Sequence, residues 1–564
     1  MKQIAILISI VVLLISCSDN KEQIVDSNID YYKNGIVVSA DSIANRIGID
    51  ILKKGGNAFD AAVAVNMALA VTYPRAGNIG GGGFMVYRTK ENEIGSLDFR
   101  EKAPEKSHPN MYLNNEDVVI EGLSTKGALS IGVPGTVAGM SALHKKFGLL
   151  NWETLLQPAI ELAKNGFVVN KFQAKTLNRF QDVFTDLNSD TICLVKSAGW
   201  KERDTLKNFE LSKTLEIISL NNLKGFYEGE VAEDIVNTIN SKGGIITLDD
   251  LKNYNVVWRE PIIVKFNNFE IISMPPPSSG GIALAQLLKG FELMKGDSIA
   301  HNSVAYIHLL TELERRVYAD RAEYLGDPDF YTVPDEKLLS QEYLLERFST
   351  INNSKATPSS EVKKGEVDII ESFETTHFEI VDKWGNAVSI TTTLNGYFGS
   401  KLMTNNTGIV LNNEMDDFSI KPGVPNQFGL VGSEANKIEP SKRMLSSMTP
   451  TIVLKNDSLV LLTGSPGGST IITSVLQTIL NSLVYDMDAQ EAVNSTKVHS
   501  QWLPDKIYYE TDKLSKVKQD SLINMGHTLF ETARLGKMKL ILLKESKMYG
   551  AGDTLRGDPS ALGY

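Results

Sequence analysis

The sequence predicts a globular protein of mixed helices and strands, and three observations carry the prediction. Two stretches near the start of the folded chain show helical apolar patterning. A β-branched run folded about a tight turn, Thr375 to Thr393, reads as a hairpin. The composition over 564 residues is 42% hydrophobic and 22% charged, an ordinary globular balance. That length supports one large core or two to four units of roughly 150 residues each.

In the first helix, Asp41 to Lys54, the residues Ile43, Ile47 and Ile51 recur every four positions, and Gly55-Gly56 can close it. Ala61 to Val71 is nearly all apolar and predicts a buried helix. Gly80 to Gly83 lacks the Lys-Ser/Thr ending of a phosphate loop and reads as close packing of a helix against a strand. Met274-Pro275-Pro276-Pro277 interrupts regular structure, and Ser278-Ser279-Gly280-Gly281 leads into an apolar helix from about Ile282. Val304 to Leu325 is expected as an amphipathic helix with its charges on one face. Residues 348–374, and Asn352 to Asp368 above all, are polar and poor in apolar groups, which predicts a mobile linker. The hairpin follows at once: Thr375 to Asp382, the turn Lys383-Trp384-Gly385-Asn386, then Ala387 to Thr393.

The N-terminal run Ile4 to Ile15, behind Lys2 and broken only by Ser9, is too short to span a bilayer and suits a signal peptide. Leu14-Ile15-Ser16-Cys17 resembles a bacterial lipobox. The expectation is a lipoprotein signal peptide over 1–16 and a lipidated Cys17 on a polar tether, 17–34. The protein would then be exported and anchored at the cell envelope, on the periplasmic side or at the outer membrane. Ser18 in place of an acid favours the outer membrane. An ordinary signal peptide with a chance cysteine is the alternative. The other cysteine, Cys193, sits in the apolar stretch Thr191 to Val195 and is expected as a structural thiol. A net charge of −11 with no basic patch argues against nucleic acid as a partner.

Chemistry concentrates at Glu374-Thr375-Thr376-His377-Phe378. A threonine hydroxyl needs a base, and a threonine at a chain start carries one in its own α-amine. That requires cleavage between Glu374 and Thr375. On the dipeptide alone, plain β-propensity at a strand start is the favoured reading.

The wider pattern resembles the γ-glutamyltransferase (glutathione hydrolase) family of N-terminal-nucleophile hydrolases, from about Gly35 to Tyr564. The motifs are Leu97-Asp98-Phe99-Arg100-Glu101, Ala319-Asp320-Arg321 through Gly326-Asp327-Pro328, and Thr375-Thr376-His377. Leu411 to Phe418, Leu445-Ser446-Ser447-Met448 and Gly464 to Ser469 complete the set. The resemblance implies an α+β fold, a four-layer αββα sandwich. It also implies self-cleavage into a large subunit over 35–374 and a small catalytic subunit over 375–564. Thr375 would be the nucleophile, Thr393 its hydrogen-bond partner, and Gly467 and Gly468 the oxyanion donors. Arg100, Ser446 and Ser447 would take the substrate α-carboxylate, and Asn395, Glu414 and Asp417 the α-ammonium. Expected substrates are glutathione and other γ-glutamyl compounds, with water, amino acids or peptides as acceptors; no metal or organic cofactor is implied. Phe428 stands where some bacterial members carry tyrosine in a lid loop, keeping the apolar cover without the hydroxyl, and Glu414 stands where some carry glutamine. His377 is given a structural role. The rival readings are a related acylase of cephalosporin or poly-γ-glutamate type, and an inactive binding lipoprotein.

Overall fold

Two β-sheets lie face to face, each covered on its outer side by helices. The computed structural model describes residues 31–188, 192–362, 375–421, 423–555 and 560–564. The expected signal peptide, Cys17, the tether up to residue 30, Thr191 and the stretch 363–374 with Glu374 lie outside the described residues.

In chain order the sheet strands are β1 (Gly35–Ser39), β2 (Gly82–Arg88), β3 (Ile94–Phe99), β4 (Val257–Arg259), β5 (Ile262–Phe266), β6 (Phe269–Ser273) and β7 (Thr376–Asp382). They continue with β8 (Ala387–Thr393), β9 (Thr451–Lys455), β10 (Ser458–Gly464), β11 (Lys539–Lys544), β12 (Lys547–Gly552) and β13 (Ser560–Gly563). One sheet runs β13-β1-β7-β8-β2-β3-β4 and the other β12-β11-β10-β9-β6-β5. The pairings named by this order are antiparallel. Each sheet therefore joins strands from both sides of position 375, so chain cleavage there would leave both sheets shared between the pieces.

Strand alternation explains the layers. Val37, Met85, Ile380 and Ile390 turn outward to helices α1 (Ser42–Lys53), α2 (Ala58–Thr72) and α3 (Trp152–Asn165). Ile36, Val38, Phe84 and Val86 turn inward and meet Ile452, Leu462 and Ile541 of the second sheet. Behind that sheet lie α4 (Gly280–Leu293), α5 (Val304–Tyr324) and α6 (Thr470–Leu483). The Asp41 carboxylate caps α1 by accepting from Ile43 N and Ala44 N, at 3.0 and 3.1 Å. Every residue of α2 is buried, as its apolar run predicts. The glycine run closes the first sheet: a Cβ on Gly81 would lie 2.0 Å from Thr393 O, and Gly81 O accepts from Gly135 N and Thr136 N. The tight neighbours are thus strand β8 and a helix start, wider than the helix–strand contact expected.

Two expectations need correction. The charges of α5 do not form a solvated face. Glu312, Glu314, Arg315, Arg316, Asp320 and Arg321 are all buried. Glu312 pairs with Arg315 and, at 2.7 Å, with Arg316. Residues 348–362 are not a loose linker either. Phe348, Ala356 and Val362 are buried, and Thr357 donates to the Glu312 carboxylate through its N–H (3.0 Å) and its hydroxyl (2.6 Å). Ser359 N donates to Asp505 at 2.7 Å. Buried charge on α5 needs partners, and this polar segment supplies them.

Candidate active site

The hairpin β7–β8 and the end of β10 meet at one end of the gap between the sheets. Thr375 immediately precedes β7, Thr393 ends β8, and Thr376 pairs with Thr392 across the hairpin. Thr375 Oγ lies 3.4 Å from Thr393 Oγ, and Thr393 Oγ accepts from Asn395 N at 2.7 Å. The contact is long for a hydroxyl pair.

After β10, Ser465 and Pro466 turn the chain into α6. Gly467 and Gly468 hold φ of 144° and 54°, in the region that favours glycine. A Cβ on Gly468 would lie 2.5 Å from the Phe428 ring, so the glycine also makes room for that cover. Phe428 is buried without a hydroxyl of its own. Its loop is held by backbone bonds: Asn426 Oδ1 accepts from Phe428 N and Leu430 N, Asp416 accepts from Gln427 N, and Gln501 donates to Phe428 O.

Thr375, Thr393, Asn395, Gly468, Arg100, Glu414, Asp417, Ser446 and Ser447 line one cavity. Gly467 instead borders a neighbouring cavity that Thr375 also lines. Arg100 follows β3 and is fully buried. Its Nη1 pairs with Glu414 and its Nη2 with Asp417 at 2.5 Å, while Nε donates to Met444 O at 3.3 Å. The fork expected to face a substrate carboxylate is thus engaged by the two acids expected to face an ammonium. Glu101 adds a third carboxylate 3.6 Å from Nη1. Burial raises Glu414 and Asp417 above the usual carboxylate range despite Arg100, and pushes Glu101 up to about 7. Glu414 and Asp417 raise Arg100 further, against the opposing effect of burial. With one guanidinium facing three buried carboxylates, the acids titrate as a group and not one by one.

The structure adds a residue that sequence reasoning quoted without a role. Arg321 on α5 lines the same cavity. Its Nε donates to Ser279 Oγ at 2.9 Å and its Nη2 to Ser447 Oγ at 3.2 Å. Ser279 Oγ donates to Ser446 O at 2.6 Å, and Ser446 Oγ accepts from Met448 N at 3.1 Å. Both Ser446 and Ser447 hydroxyls accept from fixed donors, so their protons remain to be donated into the cavity. Desolvation lowers Arg321 to about 10, still cationic at neutral pH. The Pro275–Gly281 turn has its explanation here: Pro277 O and Ser279 N clamp Ser446 from both sides.

His377 turns into the gap between the sheets, away from this cavity. Its Nδ1 is 2.9 Å from Thr391 Oγ and its Nε2 3.0 Å from Glu379. Burial lowers it to about 3, so it stays neutral and structural. Cys193 is partly buried against the core, with its thiol pushed up to about 12 by desolvation, which suits a structural role. Among the described residues His308, Glu312 and His527 approach within metal-ligand reach. Glu312 is already taken by Arg315, Arg316 and Thr357, and His308 Nδ1 lies 2.8 Å from His527 Nε2.

With this geometry in place, comparison with known proteins is informative. Residues 44–563 match the family model for gamma-glutamyltranspeptidase. A glutathione hydrolase proenzyme of Escherichia coli (strain K12) is 43% identical over 541 residues, 94% of this chain and 92% of that relative. A crystal structure of cephalosporin acylase from Bacillus halodurans superimposes with TM-score 0.81 at 25% identity, covering 95% of this chain and 97% of that one. Gamma-glutamyltranspeptidase from Helicobacter pylori gives TM-score 0.57 at 42% identity, over 60% of this chain and 96% of the solved chain. The layered α+β architecture agrees with these neighbours.

Proposed function

Because the chain belongs to the gamma-glutamyltranspeptidase family, we propose that it is a self-processing γ-glutamyltransferase and glutathione hydrolase whose nucleophile is Thr375. The observation that carries this reading is the single cavity lined by Thr375, Arg100 and the Ser446–Ser447 pair. A γ-glutamyl group presents a carbonyl at one end and a zwitterion at the other, and this cavity offers a hydroxyl at one end and an ion cluster at the other.

The chemistry follows from the groups. Cleavage before Thr375 frees its α-amine, with an ordinary pKa of about 7.7 to 8.0, to accept the proton of Oγ. Oγ adds to the γ-carbonyl carbon, and the Gly467 and Gly468 amides stabilise the oxyanion. The leaving amine departs with the proton and an ester on Thr375 remains. Water or an acceptor amine then takes the acyl group. Arg100 pairs with Glu414 and Asp417; the substrate α-carboxylate replaces part of that pairing, while its α-ammonium takes up the released acids and Asn395 Oδ1. A free α-carboxylate requirement favours this reading over the acylase alternative.

Purified protein given glutathione should release glutamate, and with an added dipeptide should form the γ-glutamyl dipeptide under ping-pong kinetics. Neither product from a cleaved preparation would sink the reading.

Arg321 is proposed to hold Ser447 as a donor to the α-carboxylate. Arg321→Gln should raise the donor KM about tenfold, the loss of one charge-assisted hydrogen bond of roughly 1.5 kcal/mol, and Arg321→Lys should recover part of it. An unchanged KM in the glutamine variant would remove Arg321 from the site.

We also infer a lipid anchor on Cys17, from the lipobox resemblance alone. No described helix is long and apolar enough to cross a membrane. Cys17→Ala should move the protein from the membrane fraction to the soluble one; wild type found already soluble would refute the anchor.

A further inference from the structure

We propose that Asp327 is a positioning residue for the donor pocket: as a member of a closed ring with Arg443, Asp98, Arg259 and Asp329, it sets the backbone of residues 443–447 against Arg100. This rests on the reading of Arg100 as the group that takes the substrate α-carboxylate. It gives a role to the Gly326-Asp327-Pro328 motif, which the chemistry of the cavity leaves unused.

Two chain segments, far apart in sequence, make the anion-binding wall of the pocket. One is the end of β3, where Arg100 follows the strand. The other is residues 443–447, which carry Ser446 and Ser447 and also aim Arg100. Met444 O accepts from its Nε and Leu445 O from its Nη2, both at 3.3 Å. The direction of the guanidinium therefore depends on where those two carbonyls lie. A shift of the second segment would turn the fork and move the serine hydroxyls together, and misplacements of an ångström are enough to weaken such a site.

The second segment is clamped at both ends from α5 and the residues just beyond it. At its far end Arg321 donates to Ser447 Oγ at 3.2 Å. At its near end Asp327 Oδ2 accepts from Arg443 N at 2.8 Å. The other Asp327 oxygen accepts from Asp329 N at 3.1 Å. The Asp329 carboxylate takes both Nη atoms of Arg259, at 3.1 and 2.8 Å. Arg259 Nε donates to Asp98 Oδ2 at 2.9 Å. Asp98 Oδ1 lies 3.3 Å from Arg443 Nε and accepts from Arg100 N at 2.9 Å. The ring thus closes on Arg443, which is fixed by its amide on one side and its guanidinium on the other. Through Asp98 it also holds the backbone of Arg100, whose carbonyl accepts from Tyr254 Oη at 2.8 Å.

Two features set this ring apart from a brace of the fold alone. Asp98, Asp327 and Arg443 are buried. Apolar packing of the same shape is often as stable as buried charge, so what the ring adds is fixed direction and spacing. Both of its attachments also fall beside the fork, on the amide of Arg100 and on the residue before Met444. None of the five is among the residues lining the cavity, so they act through Arg100 and the 443–447 segment. Lys102 lies beside the ring with its Nζ donating to Asn255 at 2.7 Å. Three cations then face three carboxylates, and the effect on the pocket is geometric, with no added net charge.

The test measures donor kinetics with a chromogenic γ-glutamyl anilide in wild type, Asp327→Asn and Asp329→Asn, each also in an Arg100→Gln background. Asparagine keeps the size of Asp327 but turns one acceptor into a donor facing an amide N–H. Donor KM should rise about tenfold in Asp327→Asn, the scale of one charge-assisted hydrogen bond, with kcat and the KM of a dipeptide acceptor little changed. In the Arg100→Gln background the same substitution should alter donor kcat/KM by less than about twofold, because the group it aims is gone. Asp329 is exposed, so its variant, with a smaller rise in donor KM, decides the matter if Asp327→Asn fails to fold. Unchanged donor KM in the folded variants, or the same rise in the Arg100→Gln background, would overturn the positioning role and leave only a brace of the fold. Arg100→Gln with wild-type donor KM would overturn the reading of Arg100 itself, and the positioning role with it.

Discussion

Thr375→Ala should leave the purified protein as one uncut chain and abolish transfer of the γ-glutamyl group, a loss on the order of 10⁴-fold or more. Both effects come from one atom. In the proposed mechanism Oγ attacks the preceding carbonyl during processing and the γ-carbonyl during turnover, and alanine supplies neither attack. The fold should survive, because β7 begins at Thr376 and neither sheet loses a pairing. A denaturing gel with N-terminal sequencing checks this. Wild type should give a smaller fragment beginning Thr375-Thr376-His377, and the variant none. Cleaved variant, or an active uncut one, would end the nucleophile assignment. In cleaved wild type, kcat/KM should rise with pH through about 7.7 to 8.0, since the α-amine is a base only when neutral. A flat profile across that range would point to another base.

The legible parts of this sequence were those where local pattern and environment agree. The β-branched runs around Lys383–Asn386 formed the hairpin, and the apolar run after Asn57 formed a helix buried on every side. Pattern failed where polarity and exposure part company. Helix α5 reads as amphipathic because six of its residues carry buried charge, and the partners that make burial tolerable lie at Thr357 and Asp505, far along the chain. The same fact hid the packing of 352–362, whose composition is that of a linker. Residues that line the first cavity were named through family resemblance, motif by motif. Arg321 lacked a role because its contacts run to serines 279 and 447, brought near only by the fold. The neighbouring cavity that Thr375 also lines was invisible for the same reason: residues 73, 75, 172, 397 and 537 share no motif and meet only in three dimensions.

The Arg100 cluster is where removal of one charge should cost most outside the nucleophile. Arg100→Gln leaves Glu101, Glu414 and Asp417 facing one another with no cation among them in a dry pocket. Breaking a buried ion pair from one side costs about 3 to 5 kcal/mol. Part of that cost is avoided if the acids take up protons, and their raised pKa values already point that way. The variant should therefore be markedly less stable at pH 8 than at pH 5, because at the lower pH the acids hold protons and no longer repel. Donor KM should rise at least a hundredfold at neutral pH, since neither the α-carboxylate nor the counter-charges that position the α-ammonium remain in place. Glu414→Gln in the same chain removes one of the stranded acids without changing its size. The double variant should regain stability toward wild type while its donor KM stays high. Thermal unfolding at the two pH values with steady-state kinetics separates these effects. A double variant no more stable than Arg100→Gln would mean that repulsion among the acids is not what destabilises the pocket, and that Arg100 acts through its contacts to Met444 O and Leu445 O instead.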